Sequence, residues 1–246
     1  MCGIAGIFDF THKKIDSKIM MNMLDKMIHR GPDGYGVFVN ESSDVVFGHR
    51  RLSIIDLSQN AKQPMTFLNR YTITFNGEIY NYLELREKLI KIGWKFKSDS
   101  DTEVLLKCYI EFGKKCLELL DGMFAFAIWD EIDKKMFCAR DRFGEKPFYY
   151  TFTNSKFIFA SEIKALFECG IKREINSEKL YNYLVFNTVN SSKNKNSTFY
   201  KTIYELSPSN YMILNYEGEV IENSAYWKIN LNKRLNINYS DAVEIF

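Results

Sequence analysis

Met1-Cys2-Gly3-Ile4-Ala5-Gly6 opens the chain, and the rest of the sequence is organised around this segment. Removal of Met1 would leave Cys2 with both a thiol and a free α-amine. A terminal amine has a pKa of about 7.7–8.0 and a free thiol one of about 8.5, so the amine can act as the base for the thiol. Gly3 and Gly6 lack a Cβ, which lets backbone or substrate approach the sulfur. The alternative is a short apolar strand with an incidental cysteine, because free cysteines are commonly buried.

The composition allows a large core and gives no indication of a charged macromolecular partner. The 246 residues are 46% hydrophobic with a net charge of +2, which argues against nucleic-acid and acidic membrane partners. The five cysteines include no C-x-x-C pair, and their odd number favours a reducing compartment over a disulfide framework. Neither a signal sequence nor an apolar run of membrane-spanning length is present. We therefore expect a cytoplasmic protein.

The apolar pattern predicts a layered α+β protein. Strands are predicted over residues 4–10, 35–40, 45–49, 71–75, 123–129, 136–139 and 147–151, with a hairpin formed by 211–215 and 219–222. Helices are predicted over residues 17–28, 80–92 and 177–186, with others opening at 100, after 161 and at 239. Residues 187–197 are rich in Asn, Ser and Lys, which predicts an exposed loop. The strands and helices do not alternate regularly, so a doubly wound sheet is not expected.

Three further segments could bind a small zwitterion around Cys2. The planar guanidinium of Arg51 suits bidentate capture of a carboxylate, and Asp101 at a helix start could hold an ammonium. Asn76-Gly77, predicted to form a tight turn after a strand, could donate an amide and a backbone N–H to one oxyanion. Each feature has an ordinary alternative. These are a surface charge for Arg51, a helix cap for Asp101 and a hairpin turn for Asn76-Gly77.

A set of motifs gives these segments a common context. The chain contains M-C-G-I-A-G, H-R-G-P-D-G, H-R-R-L-S-I-I-D, F-N-G-E-I-Y-N, S-D-T-E-V-L, D-G-M-F-A-F-A-I-W-D and R-D-R-F-G-E-K-P-F-Y-Y, in this order. Over residues 2–228 it closely resembles the glutamine-hydrolysing asparagine synthetases. These are class II glutamine amidotransferases, which are N-terminal nucleophile hydrolases. The resemblance implies a four-layer α-β-β-α sandwich.

The resemblance also implies roles for individual residues. Cys2 would attack the side-chain amide of glutamine to form a thioester, with Asn76 and Gly77 as the oxyanion hole. The expected substrate-binding residues are Arg51 for the α-carboxylate, the backbone of Leu52, Ser53, Ile54 and Ile55 for the pocket, and Glu78 and Asp101 for the α-ammonium. Arg30 and Asp33 would support the site without reacting. His12, His29 and His49 have no metal-ligand spacing, so no metal site is expected.

The same resemblance predicts the domain organisation. Residues 2–222 would form the glutaminase domain, and residues 223–246 a linker and the start of a synthetase domain. That second domain would use ATP and Mg to activate aspartate and would receive the ammonia. Its serine-glycine-glycine-leucine-aspartate-serine phosphate loop does not occur here, so no cofactor is expected in this chain. The resemblance allows a homodimer.

Two other functions remain open from the sequence. The same glutaminase half-reaction could supply ammonia to another acceptor, such as a sugar carboxylate, because the acceptor is selected by residues outside this sequence. A non-catalytic interaction module with the same fold is the third hypothesis. The presence of Cys2, Arg51, Asn76 and Asp101 argues against it.

Overall fold

Two antiparallel sheets form the centre of the molecule. The structure, a computed structural model, describes residues 1–53, 56, 58–189, 196–230, 232 and 236–245. In spatial order, the first sheet contains β10 (Tyr204–Glu205), β8 (Tyr149–Phe152), β9 (Lys156–Ala160), β1 (Gly3–Asp9), β3 (Val45–Arg51) and β2 (Gly34–Val39). The second contains β12 (Val220–Ala225), β11 (Asn210–Leu214), β7 (Lys135–Arg140), β6 (Gly122–Asp130), β5 (Tyr71–Ile79) and β4 (Met65–Phe67).

Helices cover the outer faces of both sheets. The helices are α1 (Ser17–Asp25), α2 (Tyr82–Lys91), α3 (Asp101–Phe112), α4 (Cys116–Leu119), α5 (Ile163–Leu166), α6 (Ser177–Phe186) and α7 (Tyr239–Ile245). Buried residues of α1 and α5 pack on the first sheet, and those of α2, α3 and α4 pack on the second. The predicted α+β class and the four-layer α-β-β-α sandwich are therefore confirmed.

Alternation along β1 explains how the layers form. Ile4 and Phe8 point into the core between the two sheets, whereas Ala5 and Ile7 point outward against α1 and α5. Both faces of the strand are thus buried, which accounts for its continuous apolar sequence. The register then places Gly3 opposite Arg50 in β3, so the residues just before β1 meet the end of β3.

Most predicted elements are found, and several differ from the prediction. Helix α1 ends at Asp25 instead of 28, and a separate 3₁₀ turn spans Ile28–Arg30. The Arg50 guanidinium donates to the Leu24 carbonyl at 3.0 Å and so satisfies a group at the helix end. The prediction omitted β9, which pairs with β1, and β4, which is only three residues long. Part of the predicted 187–197 loop lies outside the described residues.

The placement of Asn76-Gly77 at a tight turn was wrong. Both residues lie inside β5, where Asn76 faces Ala125 and Gly77 faces Phe124 of β6. The prediction failed because Asn-Gly favours turns only where the chain reverses, whereas β6 offers a partner strand along the whole of β5. Here Gly77 is required by packing, because a Cβ on it would lie 2.2 Å from the Met123 carbonyl oxygen.

The loop that joins β7 to β8 is organised by the carboxylate of Asp141. This buried side chain accepts hydrogen bonds from the backbone N–H groups of Phe124, Phe143, Glu145 and Lys146, at 2.9–3.2 Å. Charge-assisted bonds of this kind are stronger than neutral ones. The loop thereby carries Lys146 to the end of the sandwich where Cys2 lies.

The chain remains packed slightly beyond the predicted domain boundary at residue 222. β12 continues to Ala225, and the Tyr226 hydroxyl donates to the Arg140 carbonyl at 3.0 Å. In α7 no residue is buried. The division into a glutaminase domain and a second segment stays a prediction. Within the described part of the chain, no helix is long and apolar enough to cross a bilayer.

Candidate active site

A cavity of about 230 Å³ opens where β1, β3 and β5 meet the start of α3. Its size is below the roughly 300–1,000 Å³ of sites for drug-sized ligands and therefore suits a small metabolite. The residues that line it are Met1, Cys2, His49, Arg51, Leu52, Ser53, Asp56, Ala61, Gln63, Phe75, Asn76, Gly77, Glu78, Ser100, Asp101, Thr102, Met123 and Lys146.

The Cys2 thiol lies against the backbone of Leu52. The Leu52 N–H donates to Sγ at 3.3 Å, and the thiol faces the Leu52 carbonyl oxygen at 3.5 Å. Burial raises the pKa of the Cys2 thiol above its ordinary value, and the hydrogen bond from Leu52 opposes that rise. The sulfur thus needs a base before it can attack, and it already has one backbone donor to stabilise a thiolate.

Met1 and Lys146 line the same cavity as Cys2. Met1 is 57% exposed, and the Lys146 ammonium donates to its sulfur at 3.3 Å. Removal of Met1 would place the α-amine of Cys2 in the cavity next to its own thiol. This arrangement is compatible with the α-amine acting as the base for the thiol.

Asn76 presents a free amide to the cavity. Its side chain is 1% exposed, and its Nδ2 is one of the few buried side-chain polar atoms without a partner among the described residues. A buried unpaired donor costs about 1–3 kcal/mol, so such a group commonly has a functional explanation. Asn76 Nδ2 is therefore a candidate donor to an oxyanion.

The backbone of Gly77 offers a second donor at the same place. Phe124, which faces Gly77 in the ladder, directs its own N–H and carbonyl towards Asp141. Facing residues in an antiparallel ladder exchange both of their hydrogen bonds or neither, so the Gly77 N–H points away from β6. It shares this direction with the N–H of Phe75, two residues earlier, on the edge that borders the cavity.

Arg51 is the last residue of β3 and lies on the cavity surface. Two of its guanidinium N–H groups donate to carbonyl oxygens of the following loop, those of Asp56 and Ser58. A guanidinium has five N–H donors, so these bonds hold the group and leave others for a carboxylate.

Asp101 is the first residue of α3, and Ser100 is the N-cap. The Asp101 carboxylate accepts from the Ile79 N–H at 3.1 Å, and the residue is 5% exposed. Burial raises the pKa of the Asp101 carboxyl to about 6, with a smaller contribution from the negative charge of Glu78. A buried carboxylate with a second one nearby favours a cation, and the α-ammonium of an amino acid supplies one.

Arg30 and Asp33 contact the site from behind the cavity surface. The Arg30 Nε donates to the Cys2 carbonyl at 2.9 Å, and its Nη1 donates to Glu162 at 3.1 Å. Asp33 accepts from the Ser53 N–H at 2.8 Å, and its own N–H donates to the Arg51 carbonyl at 3.1 Å. These contacts suit a supporting function for both residues.

The cavity thus brings together most of the predicted site residues in two sets. Cys2, Asn76 and Gly77 form the sulfur cluster, and Arg51, Glu78 and Asp101 form the charged cluster. Leu52 and Ser53 line the same cavity, whereas Ile54 and Ile55 lie outside the described residues. The described residues contain no group of three or more His, Cys, Asp or Glu that could hold a metal ion.

Several cavity residues were not predicted to belong to the site. His49 lies two residues before Arg51 on the same face of β3, and this period of two was the available signal. Burial lowers the pKa of the His49 imidazole to about 4, so the ring is neutral. Gln63 and Thr102 also line the cavity, and no motif marked Gln63.

Comparison with known proteins gives a consistent result. A family model described as a glutamine amidotransferase domain matches residues 1–227. Asparagine synthetase [glutamine-hydrolyzing] 3 of Bacillus subtilis is 38% identical over an alignment 248 residues long, which covers 99% of this chain and 39% of that protein. Asparagine synthetase [glutamine-hydrolyzing] 1 of the same organism is 40% identical over an alignment 234 residues long, which covers 94% of this chain and 36% of that protein. The chain thus spans under half the length of these relatives.

Among solved structures, the glutamine phosphoribosylpyrophosphate amidotransferase of Bacillus subtilis, complexed with ADP and GMP, superimposes with a TM-score of 0.68. The match covers 92% of this chain and 49% of the other at 22% identity, so it supports the fold alone.

Proposed function

Because this chain belongs to the glutamine amidotransferase domain family, we propose that it hydrolyses the side-chain amide of glutamine to glutamate and ammonia. The observation that carries the proposal is the sulfur cluster. The Cys2 sulfur, a buried unpartnered Asn76 amide and the outward Gly77 N–H share one small cavity. Arg51, Glu78 and Asp101 on the same surface suit the two charged groups of an amino acid.

The reaction follows from these positions. The Cys2 α-amine takes the thiol proton, and Sγ forms a bond to the amide carbon of glutamine. The oxygen of the tetrahedral intermediate is stabilised by Asn76 Nδ2 and the Gly77 N–H. The C–N bond then breaks, and ammonia leaves with the proton returned by the α-ammonium. Water hydrolyses the thioester to glutamate and restores the thiol.

Ammonia release from glutamine tests the proposal directly. The chain with Met1 removed should release ammonia, and Cys2→Ala should not. Hydroxylamine added during turnover should trap the thioester as γ-glutamyl hydroxamate. No ammonia and no hydroxamate from a folded, Met1-free protein would refute the function.

We further propose that removal of Met1 is required. No other base adjoins the Cys2 sulfur in the contacts described above, so a blocked amine should leave the thiol without one. An intact-mass measurement on active protein shows whether Met1 has been removed. Full activity in molecules that retain Met1, or carry an uncleaved N-terminal extension, would contradict this requirement.

The use of the ammonia is proposed from the relatives. The ammonia would serve asparagine synthesis from aspartate and ATP by a synthetase domain of the kind that the longer relatives contain. ATP and Mg would act in that domain, and this chain should bind neither measurably in calorimetry. Delivery to a different acceptor is the alternative. We also propose a cytoplasmic location, from the odd cysteine count, and a homodimer, from the family resemblance.

A further inference from the structure

The side chain of Gln63 connects β5, which carries Asn76 of the sulfur cluster, to α3, which carries Asp101 of the charged cluster. Its Oε1 accepts from the Phe75 N–H at 2.6 Å, and its Nε2 donates to the Thr102 hydroxyl at 3.2 Å. Phe75 directly precedes Asn76 in β5, and Thr102 directly follows Asp101 in α3. One planar amide therefore spans the gap between the oxyanion strand and the start of the helix.

Sheet pairing does not hold β5 at this point on its cavity side. β4 pairs with β5 only from Tyr71 to Ile73, so the outward N–H of Phe75 lies beyond the last β4 partner. Gln63 supplies the missing acceptor. The Phe75 carbonyl accepts from His49 Nε2 at 3.1 Å, so side chains hold both backbone groups of Phe75.

Gln63 itself is fixed by a close backbone contact with the first sheet. A Cβ on Gly36 of β2 would lie 2.1 Å from the Gln63 carbonyl oxygen, so β2 passes directly against this residue. Thr102, the other partner, is 3% exposed and is held in the first turn of α3. Gln63 thus contacts β2 through its backbone, and its side-chain amide joins β5 to α3 and limits how far one can move relative to the other.

We propose that Gln63 is a specificity-determining positioning residue that holds Asp101 of the charged cluster at a set distance from Asn76 of the sulfur cluster, and so favours glutamine over asparagine. The inference rests on the proposed glutaminase function. Arg51 and Asp101 would anchor the α-carboxylate and α-ammonium of either amide. Asparagine has one methylene less, so its amide carbon would stop short of Sγ. A misplacement of about 1 Å can cost roughly 10²-fold in rate.

The test compares kcat/KM for ammonia release from glutamine and from asparagine in five proteins. These are the wild type, Gln63→Met, which removes both hydrogen bonds at similar volume, Thr102→Val, which removes only the bond to α3, the double variant of these two, and Thr66→Val as a control. Thr66 pairs with Thr72 at 2.9 Å between β4 and β5, away from the cavity, so its variant removes a side-chain bond of the same kind.

The wild type should prefer glutamine by roughly 10²-fold. Gln63→Met and Thr102→Val should each lower that preference by about tenfold. The bond from the Ile79 N–H to Asp101 then remains without the Gln63 bridge beside it, so Asp101 can shift relative to Asn76 by a fraction of an ångström. The double variant should lose little more than either single variant, since both substitutions remove the same connection. Thr66→Val should keep the wild-type ratio.

Three outcomes would overturn the inference. The first is a wild type with equal kcat/KM for glutamine and asparagine. The second is a pair of variants that lose activity on both amides in equal proportion, because that indicates only a structural function. The third is a glutamine preference that stays unchanged in Gln63→Met and Thr102→Val. If Gln63→Met does not fold, the glutamine preference of Thr102→Val alone tests the inference. A wild type that releases ammonia from neither amide would instead refute the proposed function, so the two failures are distinguishable.

Discussion

The sulfur cluster and the charged cluster share one cavity but are held in place by different means. Cys2 and Asn76 are positioned by strand register, through the pairing of β1 with β3 and of β5 with β6. Arg51 is held by carbonyl oxygens of the loop that follows it, and Asp101 by the first turn of α3. The reacting groups thus depend on strand register, whereas the side chains of Arg51 and Asp101 depend also on a loop and a helix start. If this comparison is correct, substitutions in the two clusters should affect different kinetic constants.

The largest effect is expected for the nucleophile. Cys2→Ala should lower kcat by roughly 10⁴–10⁶-fold, because the thioester cannot form. Binding should persist, since the charged cluster is unchanged. Isothermal titration of the variant with glutamine should give a dissociation constant close to the wild-type KM. Loss of binding together with activity would mean that the two clusters are not separable.

Asn76→Ala should have the next largest effect, with kcat reduced by about 10²–10³-fold. The amide meets its partner only when negative charge develops on the substrate oxygen, so KM should change little. Steady-state ammonia release measures both constants. A large rise in KM at constant kcat would instead assign Asn76 to substrate binding.

Arg51→Ala should reverse this pattern. The guanidinium would contact the α-carboxylate in both the ground state and the transition state, so KM should rise by about 10²-fold while kcat changes less. Arg51→Lys serves as a control because it keeps the charge but lacks the planar fork. If kcat for Arg51→Ala fell as far as for Asn76→Ala, the division between the clusters would be wrong.

A smaller effect concerns pH. Burial raises the pKa of Asp101 to about 6, so its carboxyl is mostly ionised at pH 7 and mostly neutral at pH 5. Glutamine affinity should therefore fall by roughly tenfold for each pH unit below 6, because the neutral carboxyl no longer attracts the ammonium. Titration of Cys2→Ala with glutamine between pH 5 and 7 isolates this effect from the chemistry of the thiol. In Asp101→Asn, binding should be weak and nearly independent of pH over this range.

The same carboxyl should affect stability in the opposite direction. Its folded pKa of about 6 is above its ordinary value of 3.8, so its contribution to stability is present below pH 3.8 and is lost as pH rises through 6. At pH 7 the buried charge is a cost. Asp101→Asn should therefore raise the free energy of unfolding by about 1–3 kcal/mol while weakening binding. Urea unfolding at pH 7 measures this, and a destabilised Asp101→Asn would contradict the assignment.

The layers of the fold could be predicted from the sequence because they depend on local pattern. The continuous apolar sequence of β1 and the N-cap at Ser100 are visible within a few residues. The placement of Asn76-Gly77 depends on β6, far along the chain, and the dipeptide does not reveal whether it forms a turn or faces a close neighbour. Pairing information was missing, so the turn was predicted wrongly.

The same reasoning explains which cavity residues were missed. Gln63 meets Thr102 across 39 positions, and His49 meets Phe75 across 26. Glutamine and histidine are ordinary residues in a loop and a strand, so neither is distinctive before those partners are known. Cys2 could be identified because its chemistry depends on its place next to the amino terminus.

The Asp141 loop has a consequence for the way genomes are annotated. Its carboxylate collects backbone N–H groups within residues 141–146 and from Phe124, so its side-chain chemistry serves folding and not turnover. A descendant that lost its nucleophile would still need this loop to fold. The segment R-D-R-F-G would then persist in inactive paralogues and mark common descent, whereas Cys2 and the other residues of the two clusters would distinguish an enzyme from an inactive relative.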